Sequence, residues 1–103
     1  MSNDSLQIKE LKRRYKLSLN EKANTVLDCK NLIMSASEGQ LPAHLEYCRA
    51  ELHKLAGSSG MYGYKEIFDL SRGAMRLIKE GDIASLDISL SQLQKTLIRY
   101  YES

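Results

Sequence analysis

The sequence predicts an all-α protein: an antiparallel up-down bundle of four long helices with a short additional helix at the N-terminus. Three observations lead there. Apolar residues recur at three- and four-residue spacing along nearly the whole chain, the period of helices with one buried face. A single proline and few β-branched residues stand beside many Leu, Lys, Glu, Ser and Ala, which favours helix over strand. The helical runs are joined by short glycine- or proline-bearing segments, and short connections make neighbours antiparallel. No strand-period run is long enough to compete.

The elements follow in order. Ile8, Leu11 and Tyr15 make a first short stripe, predicting a helix over about 4–17. The phase then reads as slipping onto Leu19, Ala23, Val26, Lys30 and Ile33. Ser18 and Glu21 have the Ser-x-x-Glu spacing of a capping box, so a break or bend is expected near Ser18 and a second helix over about 19–36, with one long helix as the alternative. Gly39 suits a helix C-terminus and Pro42 the first turn of the next helix, predicted over about 42–61. Its core stripe is Leu45, Cys48, Leu52, Leu55 and Ser59. Gly63 ends it as the structural turn. A helix over about 64–79 carries Ile67, Phe68, Ser71, Ala74, Met75 and Ile78. Gly81-Asp82 makes a second sharp turn, and Leu86, Leu90, Leu93 and Leu97 stripe the last helix, which runs to about 101.

Length and composition limit the function. The 103 residues suit one domain, 1–103, large enough to bury a core without metal or disulfide staples. A net charge of +2 gives no general affinity for nucleic acid or membrane, and neither is expected as a partner. Lys9, Lys12, Arg13, Arg14 and Lys16 form a local basic cluster. It reads as a solvated helix face, with an acidic docking partner as the sharper alternative. Cys29 and Cys48 lack CxxC spacing, and no leader-like or membrane-spanning apolar run occurs. A cytoplasmic protein with two reduced thiols is expected. His44 and Cys48, four residues apart, are the nearest thing to a metal pair, but Cys48 lies on the core stripe and no metal site is predicted.

The most informative run is His53-Lys54-Leu55-Ala56-Gly57-Ser58-Ser59-Gly60-Met61-Tyr62-Gly63. Glycine inside a helix costs roughly 1 kcal/mol against alanine, so the bare backbone after the histidine should bring a gain. On a helical wheel the core stripe centres about 120° from His53, which places the imidazole at the boundary or in solvent. Around it lie Glu46, Arg49, Ala50, Ala56, Gly57 and Gly60. Ala50, Ala56, Gly57 and Gly60 should form a low surface on which another molecule can dock. Arg49 and Lys54 should supply positive charge. A neutral imidazole nitrogen attacks phosphorus readily near neutral pH, and phosphoryl transfer needs mainly in-line positioning and cations.

The motif His53-x-Leu55-Ala56-Gly57-Ser58-Ser59-Gly60-x-x-Gly63-Tyr64 resembles the signature of histidine-containing phosphotransfer domains of two-component phosphorelays. It covers about a tenth of the chain, and the size and helix plan match that family over nearly all of it. The resemblance implies a phosphocarrier rather than an ATP-dependent kinase. His53 would accept a phosphoryl group from an aspartate on the receiver domain of a hybrid sensor kinase. It would then pass the group to an aspartate on a response regulator. The phosphocarrier would need no cofactor of its own, since Mg²⁺ comes with the receiver, and a monomer would suffice. The chain departs from the family pattern twice. Ala56 stands where many members have lysine, a variant that usually carries a basic residue directly after the histidine, as Lys54 is here. Met75, with Arg72 and Arg76 around it, stands near where many members place a glutamine. Two other readings use the same residues: a non-catalytic adaptor that binds and blocks a receiver or kinase, and an unrelated helical interaction module.

Overall fold

The computed structural model describes residues 3–103, with side-chain surroundings from Ser5 onward. Among these residues the protein is an all-α bundle of four helices: α1 (Asn3–Ser35), α2 (Leu41–Met61), α3 (Lys65–Glu80) and α4 (Ile83–Glu102). Each contributes one apolar stripe to a single core. Leu19, Val26 and Ile33 come from α1, Leu52 and Leu55 from α2, Ile67 and Ala74 from α3, and Leu86, Leu90, Leu93 and Leu97 from α4. The buried hydroxyl groups are satisfied locally. Ser71 Oγ donates to the Ile67 carbonyl and Ser59 Oγ to the Ala56 carbonyl, so these small hydroxyls are buried without an orphaned donor. No described helix is long and apolar enough to cross a membrane.

The first helix corrects the expected break. α1 is continuous over 33 residues, about 50 Å of helix, and it sets the 56 Å long dimension of the molecule. Among the described residues no separate N-terminal helix forms. At 100° per residue Ile8, Leu11, Tyr15, Leu19, Val26, Cys29 and Ile33 all fall within an arc of about 80°, so the stripe keeps its phase through Ser18. Ser18 does not cap. Its Oγ donates to the Tyr15 carbonyl at 2.6 Å and accepts from Lys22 Nζ at 3.0 Å, the back-bonded state of a serine within a helix. The first turns have no α4 beside them. Lys16 Nζ donates to the carbonyl of Ser103, which fixes the end of α4 at that level, and Leu6, Ile8 and Leu11 stay exposed.

The turns are built by a few residues. Gly39 lies in the turn between α1 and α2, four residues past the end of α1, and does not adopt positive φ. The Ser37 carbonyl organises that turn by accepting from the N–H groups of Gln40 and Leu41. Pro42 occupies the first turn of α2, where its missing N–H costs nothing. Gly63 has φ +82°, and the N–H groups of Gly63 and Tyr64 donate to the carbonyls of Gly60 and Ser59. Gly81, at φ +74°, ends α3 with the same pair of bonds, to Ile78 and Leu77. Both are Schellman endings, which need a residue free to enter the left-handed region. Asp82 then caps α4 by accepting from the Ser85 N–H at 3.1 Å.

Polar and aromatic contacts tie the helices together. Tyr15 of α1 stacks on Tyr62 at 4.4 Å, shares a 2.8 Å hydrogen bond with Ser58, and lies 5.6 Å from the Tyr64 ring. Tyr64 in turn meets Tyr100 edge-on at 5.5 Å. The Cys29 and Cys48 thiols face each other across the α1–α2 seam, and this contact together with burial pushes the Cys29 thiol far up. Lys30, on the core stripe of α1, reaches Asp87 of α4 at 3.8 Å. Glu66 of α3 accepts from both Arg99 and Tyr100 of α4.

Candidate functional site

His53 sits mid-way along α2 and is exposed. The buried residues of its helix, Cys48, Leu52, Leu55, Ala56 and Ser59, occupy the opposite and adjacent faces. Among the described residues nothing hydrogen-bonds or ion-pairs with the imidazole, so both ring nitrogens are open to an incoming group.

The surrounding small residues separate into different roles. Gly57 is exposed, and a Cβ built on it would meet nothing within 4 Å. It is open ground one turn from the imidazole. Gly60 is exposed too, but a Cβ there would lie 3.1 Å from Cδ1 of Phe68. Its bareness lets α3 approach α2 closely. Ala56 is only 5% exposed and belongs to the core, so it offers no docking surface. On the wheel it lies about 60° from His53, halfway to the core stripe. Ala50 is half-buried. Met61 is 78% exposed and projects at the end of α2 beyond Gly57 and Gly60. Tyr62 packs on Tyr15 instead of rimming this surface.

The expected cations are both engaged within α2. Arg49 grips Glu46 with two bonds, Nε to Oε2 at 3.0 Å and Nη2 to Oε1 at 2.7 Å. This holds the Glu46 carboxyl below its usual range, and it turns the guanidinium toward the residue farther from His53. Lys54 is more loosely tied, 3.6 Å from Glu51, with 73% of its side chain exposed. An exposed lysine exchanges such a partner at little cost.

α3 contributes residues that the motif alone does not show. Phe68 lies against Gly60, and the Arg72 guanidinium stands over the Phe68 ring at 5.5 Å from its centroid. The contact at Gly60 shows which turn of α3 flanks which turn of α2. On the other side of α2 a groove of about 360 Å³ opens between α1 and α2. Val26, Leu52 and Leu55 floor it, and Lys22, Lys54 and Glu51 stand at its edge; His53 does not line it.

No group of three or more His, Cys, Asp or Glu side chains among the described residues could hold a metal ion. The basic cluster of α1 is partly neutralised. Glu10 binds Arg13 at 2.6 Å and Arg14 at 3.1 Å, and these two guanidiniums hold its carboxyl down at about 2. Comparison with protein-family models, curated proteins and solved structures finds no match to this chain.

Proposed function

We propose that this protein is a histidine phosphocarrier that relays a phosphoryl group between receiver-domain aspartates through His53. One observation carries the reading: His53 is an exposed, unpartnered imidazole on a rigid helix, with open backbone at Gly57 one turn away. The resemblance of the His53–Tyr64 run to phosphotransfer domains gives that geometry its chemistry. The antiparallel up-down course of such domains agrees with the residue contacts, since Tyr15 meets Ser58 while Cys29 meets Cys48.

The chemistry asks little of the protein. A neutral imidazole nitrogen attacks the phosphorus of an aspartyl phosphate on the partner. The P–N bond forms as the P–O bond breaks, the aspartate carboxylate leaves with the electron pair, and the proton on the other ring nitrogen passes to water. The reverse sequence delivers the group to a second aspartate. Mg²⁺ belongs to the receiver, whose acidic site holds it. The rigid helix orients the imidazole, and the bare backbone at Gly57 admits the partner's surface. Lys54 is free enough to swing from Glu51 toward the equatorial oxygens. The protein would act as a cytoplasmic monomer between a hybrid sensor kinase and a response regulator.

Incubation with a phosphorylated receiver domain tests this. Acid-labile, base-stable label should appear on the parent and be lost in His53→Gln. The adaptor reading predicts binding to the receiver with no label. The unrelated-module reading predicts neither.

A further inference from the structure

Of the cations of α2 nearest His53, Arg49 is held by Glu46 and Lys54 is loosely tied to Glu51; on α3, Arg72 and Arg76 have no such tie among the described residues. Phe68 lies over Gly60, and a three-residue turn joins the two helices, so α3 runs back along α2 from that contact. Arg72, four residues beyond Phe68, comes to the level of Ala56, within a residue of Gly57. Arg76, four farther, comes to the level of Leu52, within a residue of His53. At 100° per residue Phe68, Arg72 and Arg76 share an arc of about 80° on α3, away from its buried Ile67, Ser71 and Ala74. Both arginines are exposed. Asp69, which could reach Arg72, is bound to Lys65 at 2.9 Å. Neither Arg72 nor Arg76 has an ion pair among the described residues. Stacking on Phe68 holds the Arg72 guanidinium against the edge of the surface that contains Gly57 and Gly60.

We infer that Arg72 and Arg76 form the second half of the docking surface and receive carboxylates on the rim of an acidic receiver domain. The inference rests on the phosphocarrier reading and adds the recognition element to it. Two guanidiniums spaced about 6 Å along a helix fit acidic side chains at similar spacing, and each can bind a carboxylate through two N–H groups. Because they stand unpaired, the partner need not displace an internal carboxylate to use them. Rim charges of this kind act mainly on encounter rate, and their effect falls as salt screens them.

The test separates loading from docking. Phosphoramidate, a small donor needing no protein surface, loads His53. A receiver domain charged with acetyl phosphate, the one that labels the wild-type chain fastest, then serves as the protein donor. Arg72→Gln/Arg76→Gln should still take label from phosphoramidate and keep its helical circular dichroism. Its labelling by the receiver should slow about tenfold at about 50 mM salt, and the deficit should shrink to less than twofold at about 0.5 M. Lys95→Gln, an exposed change on α4, should behave as wild type in both assays. Receiver labelling of the double variant at the wild-type rate overturns the inference while leaving the phosphocarrier reading standing. So does a deficit that persists undiminished in high salt. Failure of the wild type to take label from either donor overturns both.

Discussion

Gly57 and Gly60 look alike on a helical wheel and differ in what stands beside them. With open space at Gly57, Gly57→Ala should raise stability by about 1 kcal/mol, read as a thermal midpoint a few degrees higher. Gly60→Ala should gain less or lose stability, because Phe68 must yield to a Cβ at 3.1 Å. Gly57→Arg should fold as well as the parent and lose receiver-driven labelling while still accepting phosphoramidate, since the added bulk lies only on the docking side. The exposure of His53 was legible from the spacing of its own helix's core residues. The division between Gly57 and Gly60, the burial of Ala56 and the role of Phe68 were not. The first and last are decided by atoms of α3, whose register against α2 no local pattern encodes. The pairing of Arg49 with Glu46 was legible in principle, as an i, i+3 pair on the exposed face.

At the scale of elements, α1 shows how a capping signal can lose to packing. Ser18-x-x-Glu21 has the spacing of a helix start, yet a serine satisfied by the carbonyl one turn back stays within a helix at little cost. The apolar stripe, unbroken in phase, keeps the helix whole. Tyr15, just before Ser18, stacks on Tyr62 and shares a hydrogen bond with Ser58, so it fastens α1 to the end of α2. Tyr15→Phe keeps the stack and removes the part-buried bond, and should cost about 1 kcal/mol in urea unfolding. Ser18→Ala should leave stability nearly unchanged, because no cap is lost. The two turns that sequence placed correctly, at Gly63 and Gly81, are those where glycine's left-handed φ is required. Gly39 marked a connection without supplying such a conformation.

At the scale of the whole molecule, ion pairs fasten the outside of an apolar bundle. Arg99 and Tyr100 lower Glu66 by hydrogen bonds, Arg49 lowers Glu46, and the Ser85 N–H lowers Asp82. A carboxyl held down in the folded state stabilises it above the ordinary carboxylate range, and that contribution disappears as pH falls through the lowered value. The thermal midpoint should therefore be lower at pH 3 than at pH 7, and the three groups are exposed enough for high salt to narrow the gap. The bundle holds His53 at its surface and leaves the imidazole unpartnered, which is what a carrier between two larger proteins requires. The most direct measurement is the site of label after incubation with a phosphorylated receiver, read by mass spectrometry under alkaline conditions. Phosphate on the peptide containing His53, absent in His53→Gln, is the result predicted. Label elsewhere in the chain, or equal label in His53→Gln, would contradict it.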